Sequence, residues 1–249
     1  MNNQLTVIIP TSPIPSHPST EILDETIMYI RKFTDAEIVL MFDWPHSSIM
    51  HRKDDYEEYK MVVKAKCFNR EYGEVRWTDM EPTHSHQASM TRHVIEYIVK
   101  TPLIMFVEHD TYIDDRYGAI PFQNICDFVE GAGEVNCIRF NIFEQIPDEH
   151  NYLMIGQVEQ FDEIMYQRTI QWSQRPHIAR ASWYREILDK WFMPNQKTMI
   201  EDVMHGVVQE EYKKHGHDTF GLAIYTPEGN QLRSFHTDGR GSDEKVTVG

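Results

Sequence analysis

The chain has 249 residues and a formal net charge of −15, from 24 Lys and Arg against 39 Asp and Glu. That balance argues against a general nucleic-acid binder, which needs a cationic surface to meet phosphate, but it leaves room for a small phosphorylated ligand gripped by a metal and one or two arginines. Three scattered cysteines, Cys67, Cys126 and Cys137, lack metal-type spacing and imply a reduced interior. No apolar run approaches the roughly 20 residues of a membrane span, and Met1 to Leu5 carry no basic region ahead of a long apolar segment, so a cytoplasmic protein is expected. The length suits one large α/β domain or two small ones. Without repeats or a low-complexity linker, one continuous domain over 1–249 is the expectation.

The first predicted element is the β-branched strand Leu5-Thr-Val-Ile-Ile9, stopped by Pro10. A Pro- and Ser-rich loop follows, and Ser19 or Thr20 can cap a helix with Leu23, Ile27 and Ile30 on one face. Glu37-Ile-Val-Leu-Met-Phe42 reads as the next strand, leading into Asp43-Trp44-Pro45. This β-α-β start with short connections predicts a parallel sheet. Residues 54–66 are predicted helical and 74–77 a short strand. A helix over 87–99 shares Met90, Val94, Tyr97 and Ile98 on one face.

That helix leads into Leu103-Ile-Met-Phe-Val107, an apolar run that reads as a buried, parallel strand. Directly after it comes the acidic triplet Glu108-His109-Asp110. A buried strand delivers its next residues to the C-terminal edge of the sheet, where α/β proteins bind ligands. Two carboxylates two residues apart there can hold a divalent cation, which in turn can hold a diphosphate. The plainer reading is that charges mark where a strand surfaces.

Further on, residues 136–140 read as a strand, and 150–182 mix short strand-like pieces with polar residues. Ser182 can cap a helix running to Leu188. Residues 201–215 predict a helix with Val203, Val207 and Val208 inward and Gly216 at its stop. Phe220, Leu222 and Ile224 alternate as a strand, and 232–236 form a last short one. The Gly-, Ser- and charge-rich stretch 239–249 predicts a mobile tail. There is no Gly-x-x-x-x-Gly-Lys-Ser/Thr, no Gly-x-Gly-x-x-Gly and no Gly-x-Ser-x-Gly, which removes the commonest NTPase, dinucleotide and hydrolase readings.

In order and spacing, Val7-Ile-Ile-Pro-Thr11, Val39-Leu-Met-Phe-Asp43, Ser89-Met-Thr-Arg92, Phe106-Val-Glu-His-Asp110 and Met199-Ile-Glu-Asp-Val203 resemble a GT-A glycosyltransferase, in particular the large inverting family called family 2. The resemblance covers most of 5–205 and implies an α/β GT-A fold: a mainly parallel, Rossmann-like sheet with helices on both faces. A nucleotide-binding half would span about 1–110 and a smaller acceptor-binding half about 111–238. It implies transfer of a sugar from a nucleotide donor, a UDP-sugar first, to a hydroxyl acceptor, with Mn²⁺ or Mg²⁺ as cofactor. Thr11 and loop 12–18 would border the nucleotide, Asp43 would accept hydrogen bonds from uracil or ribose, and Arg92 would approach the diphosphate or base.

By the same resemblance Asp110 is the metal ligand, completed by His236. Glu108 would reach the ribose or a metal-bound water, with His109 between them in the nucleotide-sugar site. Asp202 would be the general base and Glu201 would orient the acceptor. The chain departs from the family in having Glu where the first Asp of the triplet usually stands. His84 and His86 have ligand-like spacing but no evident third partner, and read as loop residues. The tail from Gly239 would be a lid ordering on nucleotide binding. A glycan, a glycosylated protein or a small metabolite remain open as acceptor. The missing anchor and the length fit a bacterial, phage or viral enzyme, acting in the host cytoplasm if viral. Two other readings stand beside this one: a sugar-phosphate nucleotidyltransferase, although Ser12-Pro-Ile-Pro-Ser16 lacks the Gly-rich, Arg-containing loop such enzymes use, and a non-catalytic binding module on the same fold.

Overall fold

The computed structural model describes residues 4–80, 82–131 and 133–237; Asp238 and the tail from Gly239 lie outside them. In chain order the elements are β1 (Leu5–Thr11), α1 (Glu21–Arg31), β2 (Glu37–Phe42), α2 (Lys53–Phe68), β3 (Val75–Asp79), α3 (His86–Tyr97), β4 (Leu103–Phe106), β5 (Thr111–Ile113), α4 (Phe122–Gly131), β6 (Cys137–Phe140), β7 (Met154–Phe161), β8 (Ile164–Thr169), β9 (His177–Arg180), α5 (Ala181–Trp191), α6 (Ile200–His215), β10 (Leu222–Tyr225) and β11 (Ser234–His236). Nine strands form one sheet in the order β3-β2-β1-β4-β9-β6-β10-β8-β7. Only β9 and β8 run against the rest, because β4 and β6 both pair β9 antiparallel while β10 and β7 both pair β8 antiparallel. The sheet is therefore mostly parallel, as expected. A separate ribbon pairs β11 with β5.

Alternation along the strands splits the core in two. Val7, Ile9, Leu40, Phe42 and Met105 face α1, α2 and α4, while Ile8, Val39, Met41, Ile104 and Phe106 face α3, α5 and α6. Helices thus cover both faces, which is why β1, β2 and β4 read as unbroken apolar runs. Pro10 does not stop β1. Its missing N–H lies beyond Ile8–Phe106, the last pairing with β4, so it interrupts no bond on that side.

Several expectations need correction. Tyr97 is 62% exposed, and α3 buries Met90, Val94 and Ile95 instead. Helix α6 turns Ile200, Met204 and Val208 inward at four-residue spacing, with Val203 and Val207 packed only at its flank. Ser182 lies inside α5, whose N-cap is Arg180. Residues 222–225 are buried throughout, because β10 is covered on both faces, with Ala223 and Tyr225 in one core and Leu222 in the other. The strand β5 and the helix α4 were not anticipated. Gly216 does end α6, with φ 79°.

Strand β9 starts with His177, whose ring stacks on Phe106 at 5.3 Å and on Tyr184 at 5.7 Å. Its Nδ1 donates to the Arg175 carbonyl at 2.8 Å, and its Nε2 has no partner. Burial pushes this imidazole from 6.5 down to about 4, so the folded chain refuses a proton that the unfolded chain accepts. Between those values the unfolded state binds more protons, and stability falls as pH falls, by about 3 kcal/mol for a shift of this size. His177→Phe, which keeps the stack, is expected to flatten the dependence of urea-unfolding free energy on pH between 6.5 and 4. Equal slopes for the variant and the parent would show that His177 is not the group responsible.

Candidate active site at the C-terminal edge of the sheet

Strand β4 ends at Phe106, and the next residues, Glu108 to Asp110, emerge at the sheet edge. Two clefts meet there. The first, of about 740 Å³, is lined by Thr11, loop residues Ser12 and Ile14, Asp43, His46, His84, His86, the triplet 108–110, Lys197 and His236. The second, of about 530 Å³, is lined by Arg139, Asn141, Phe143, His150, Gln174, Arg175 and Glu201. Glu108, Met199 and His236 belong to both.

Pairing of β5 with β11 sets His236 opposite Thr111, and the Thr237 amide donates to the Asp110 carbonyl at 2.7 Å. His236 Nε2 then donates to Asp110 Oδ2 at 3.1 Å. Burial works against the Asp110 carboxylate, but that bond and the nearby His109 outweigh it and hold the group down to about 2. Glu108 goes the other way: burial, reinforced by Asp110 and Glu201 and opposed by Arg175 and His236, pushes it up to about 7. Two carboxyls two residues apart are thus driven to different protonation behaviour by their surroundings. Gln87 ties the edge together, donating to Glu108 Oε1 at 3.2 Å and accepting from the Ile200 amide at the start of α6 at 3.1 Å. His109 also lines the first cleft, close to Asp110. It is buried, its carbonyl accepts from Thr26, and its ring approaches that of His17. His17 stacks on Tyr59 at 4.0 Å and pins loop 12–18 against α2.

Asp43 reaches the first cleft but its oxygens are already engaged. They accept from the amides of Trp44 at 2.8 Å, Ser85 at 2.7 Å and His86 at 2.9 Å, so the carboxylate anchors the N-terminus of α3 to the end of β2. His84 Nδ1 lies 2.9 Å from Asp43 and 2.8 Å from the Trp44 carbonyl, both acceptors, so that nitrogen carries the proton. His86, in the left-handed region at φ 62°, begins α3 inside the cleft. Both histidines, read from sequence as loop residues, are cleft residues. Thr11 lies on the wall with its hydroxyl turned to Tyr56 at 2.8 Å.

Arg92 is not brought to either cleft. Its guanidinium donates to the Leu188 carbonyl, to that of Phe192 at 2.9 Å and to Asp189 at 3.1 Å, capping the C-terminal end of α5. Those carbonyls lack partners within their helix, and this is the stronger attraction at its position. The cations at the clefts are Lys197, Arg139 and Arg175, none anticipated from sequence. Glu201 lines the second cleft and accepts from the Gln174 amide at 3.1 Å, whereas Asp202 is exposed in the first turn of α6; burial and His84 hold His86 below its ordinary value, against the pull of Asp43 and Asp202. Among the described residues no group of three or more His, Cys, Asp or Glu side chains forms a metal cluster, and no helix is long and apolar enough to cross a membrane.

No known family profile matches the chain, and no curated protein sequence is significantly similar to it. Solved structures are. GalNAc-T7 with UDP, GalNAc and Mn²⁺ superposes with a TM-score of 0.58 at 11% identity, over 99% of this chain and 46% of that one. A mannosyltransferase from Pyrobaculum calidifontis in complex with GDP-Man and Mn²⁺ gives 0.54 at 12%, over 90% and 55%. The fold is GT-A. UTP-bound UGPase from Acinetobacter baumannii gives 0.55 at 12% identity, over 96% of this chain and 90% of that one. The chain therefore spans about half the length of the two glycosyltransferases but nearly all of the UGPase.

In this GT-A chain Arg92 has a structural duty. Arg92→Met is expected to lower unfolding free energy by about 1–3 kcal/mol, since two carbonyls lose a charged donor, and to leave the affinity for any nucleotide unchanged. A chemical-denaturation curve together with a nucleotide titration checks both halves. A loss of nucleotide affinity at unchanged stability would return Arg92 to the binding site.

Proposed function

We propose that the chain is a glycosyltransferase that moves a sugar from a nucleotide donor, a UDP-sugar first among them, to a hydroxyl acceptor. The observation that carries this is the meeting of two clefts at Glu108, Met199 and His236. One cleft would take the nucleotide and the other the acceptor, with the sugar between. The GT-A neighbours that hold UDP, GalNAc and Mn²⁺, or GDP-Man and Mn²⁺, support the same reading.

On this reading Asp110 and His236 would hold a divalent cation. The donor set fits: a carboxylate oxygen and an imidazole nitrogen converge at 3.1 Å, and a cation would take the place of the proton they now share. With only two protein donors, the remaining positions would fall to diphosphate oxygens and water, as is usual for Mg²⁺ and Mn²⁺. When bound, the cation supplies charge stabilisation to the departing diphosphate. Lys197 adds positive charge in the same cleft, and Thr11 with loop 12–18 would border the base.

The acceptor hydroxyl needs a base, because its proton must leave as the new bond forms. The resemblance assigns this to Asp202, with Glu201 orienting the acceptor. A second reading is favoured by Glu201 lining the acceptor cleft while Asp202 is exposed: there Glu201 itself takes the proton. Asp202→Asn and Glu201→Gln separate the two. The base variant is expected to lose transfer by 10²-fold or more while still binding nucleotide, and its partner to lose far less. Loss of nucleotide binding together with transfer in both variants would defeat either assignment.

Nucleotidyl transfer is the competing activity, favoured by the near-complete overlap with UGPase. A thermal-shift panel with UDP, GDP, CDP and TDP, each with Mn²⁺ and with chelator, tests the proposal. One diphosphate is expected to raise the melting temperature with Mn²⁺ only, and Asp110→Asn to abolish that rise. Pyrophosphate release from an NTP and a sugar phosphate would establish nucleotidyl transfer instead. No shift with any nucleotide would reduce the chain to a binding module.

A further inference from the structure

The second cleft holds two arginines that no carboxylate pairs directly. Arg139 on β6 and Arg175 just before β9 both line it, yet neither forms an ion pair with any described carboxylate. Arg139 donates only to Gln171, to its side chain and, at 3.5 Å, to its carbonyl. Burial, with Arg175 adding to it, lowers Arg139 to about 10, against the through-space pull of Cys137 and Glu201. Glu108 and Glu201 face the same cleft, but as neighbours of the guanidinium groups rather than partners. A desolvated cation without a paired anion is unfavourable unless a ligand supplies one.

A second, independent observation points the same way. Gln174 is only 3% exposed, lines this cleft, and leaves both its amide oxygen and its amide nitrogen without a partner. Such groups are normally satisfied. Two guanidinium groups and a side-chain amide therefore surround one cavity with unused donors, in a chain whose net charge is −15.

We infer that the second cleft recognises an anionic group, a phosphate or a carboxylate, on the molecule that accepts the sugar, held by Arg139, Arg175 and Gln174. The assignment of this anion to an acceptor rests on the glycosyltransferase reading. The site selects against neutral sugars, because without the anion these half-buried guanidinium groups lack a direct anionic partner.

The test uses the full chain, in chelator, titrated calorimetrically with inorganic phosphate, then with glucose 6-phosphate, glucuronate and glucose. Saturable binding of phosphate is expected, and glucose should bind at least tenfold more weakly than one of its two charged relatives. Preference for glucose 6-phosphate identifies a phosphate-bearing acceptor, and preference for glucuronate a carboxylate-bearing one. Arg175→Gln should weaken the anionic ligand at least tenfold while keeping the nucleotide-plus-Mn²⁺ thermal shift. Gln174→Leu, which removes no charge, should weaken it less and serves if an arginine variant fails to fold. Equal binding of glucose and its charged relatives, or unchanged anion binding in Arg175→Gln, overturns the inference. So does loss of the nucleotide shift in Arg175→Gln, which would assign Arg175 to the donor. Absence of any nucleotide shift in the unmodified chain is a separate result: it removes the glycosyltransferase reading, and with it the assignment of the anion to an acceptor.

Discussion

One reversed strand sets the arrangement of the candidate site. Strand β9 runs antiparallel between β4 and β6, with His177 paired to both Phe106 and Arg139. The strands on either side end at this edge, while β9 begins there. Residues just past the end of β4, within the end of β6 and just before the start of β9 therefore gather in one place: Glu108, Arg139 and Arg175. A fully parallel sheet would send the residues before β9 to the opposite edge. The buried stack of Phe106, His177 and Tyr184 holds this register, since a one-residue slip would turn the stack to the other face.

The acidic residues at this edge show how little residue type alone determines. Asp43, Glu108 and Asp110 all follow strands on the parallel side. Asp43 meets three backbone amides and holds a helix. Asp110 meets an imidazole and stays ionised, and Glu108, half-buried near Asp110 and Glu201, holds its proton more tightly. The backbone decides which role each takes. The β5–β11 ribbon brings His236 to Asp110 across 126 positions of sequence, and the start of α3 engages Asp43 through the Ser85 and His86 amides.

What the sequence made legible follows from the same physics. Strands β1, β2 and β4 are buried on both faces, so their apolar runs were plain, and the triplet after β4 could be placed at the sheet edge. Hairpin β7–β8 has one half-exposed face and carries Gln157, Glu159, Gln167 and Arg168, so it read only as mixed polar sequence. Helix α4 had a usable signal in Phe122, Ile125, Phe128 and Val129, with the Pro121 carbonyl accepting its first bond. The bonds Arg92 makes to the end of α5 were not legible, because α5 is brought to α3 only by the tertiary fold. Arg139 and Arg175 gave no signal, being isolated charges whose proximity depends on β9.

The strongly negative chain also constrains how it can bind anions. Its overall field repels a phosphorylated ligand rather than steering it in, so attraction must act within a few ångströms. Short-range recognition of this kind favours planar guanidinium forks and amides fixed by packing over flexible lysines. The second cleft supplies such groups beside Glu108 and Glu201: Arg139, braced by Gln171, with Arg175 and Gln174. The first cleft has one exposed lysine and a carboxylate–imidazole pair, a set that answers a diphosphate best with a cation between. On the proposed reading the two clefts would divide the problem of holding negative charge by different chemistry, a cation in one and guanidinium groups in the other.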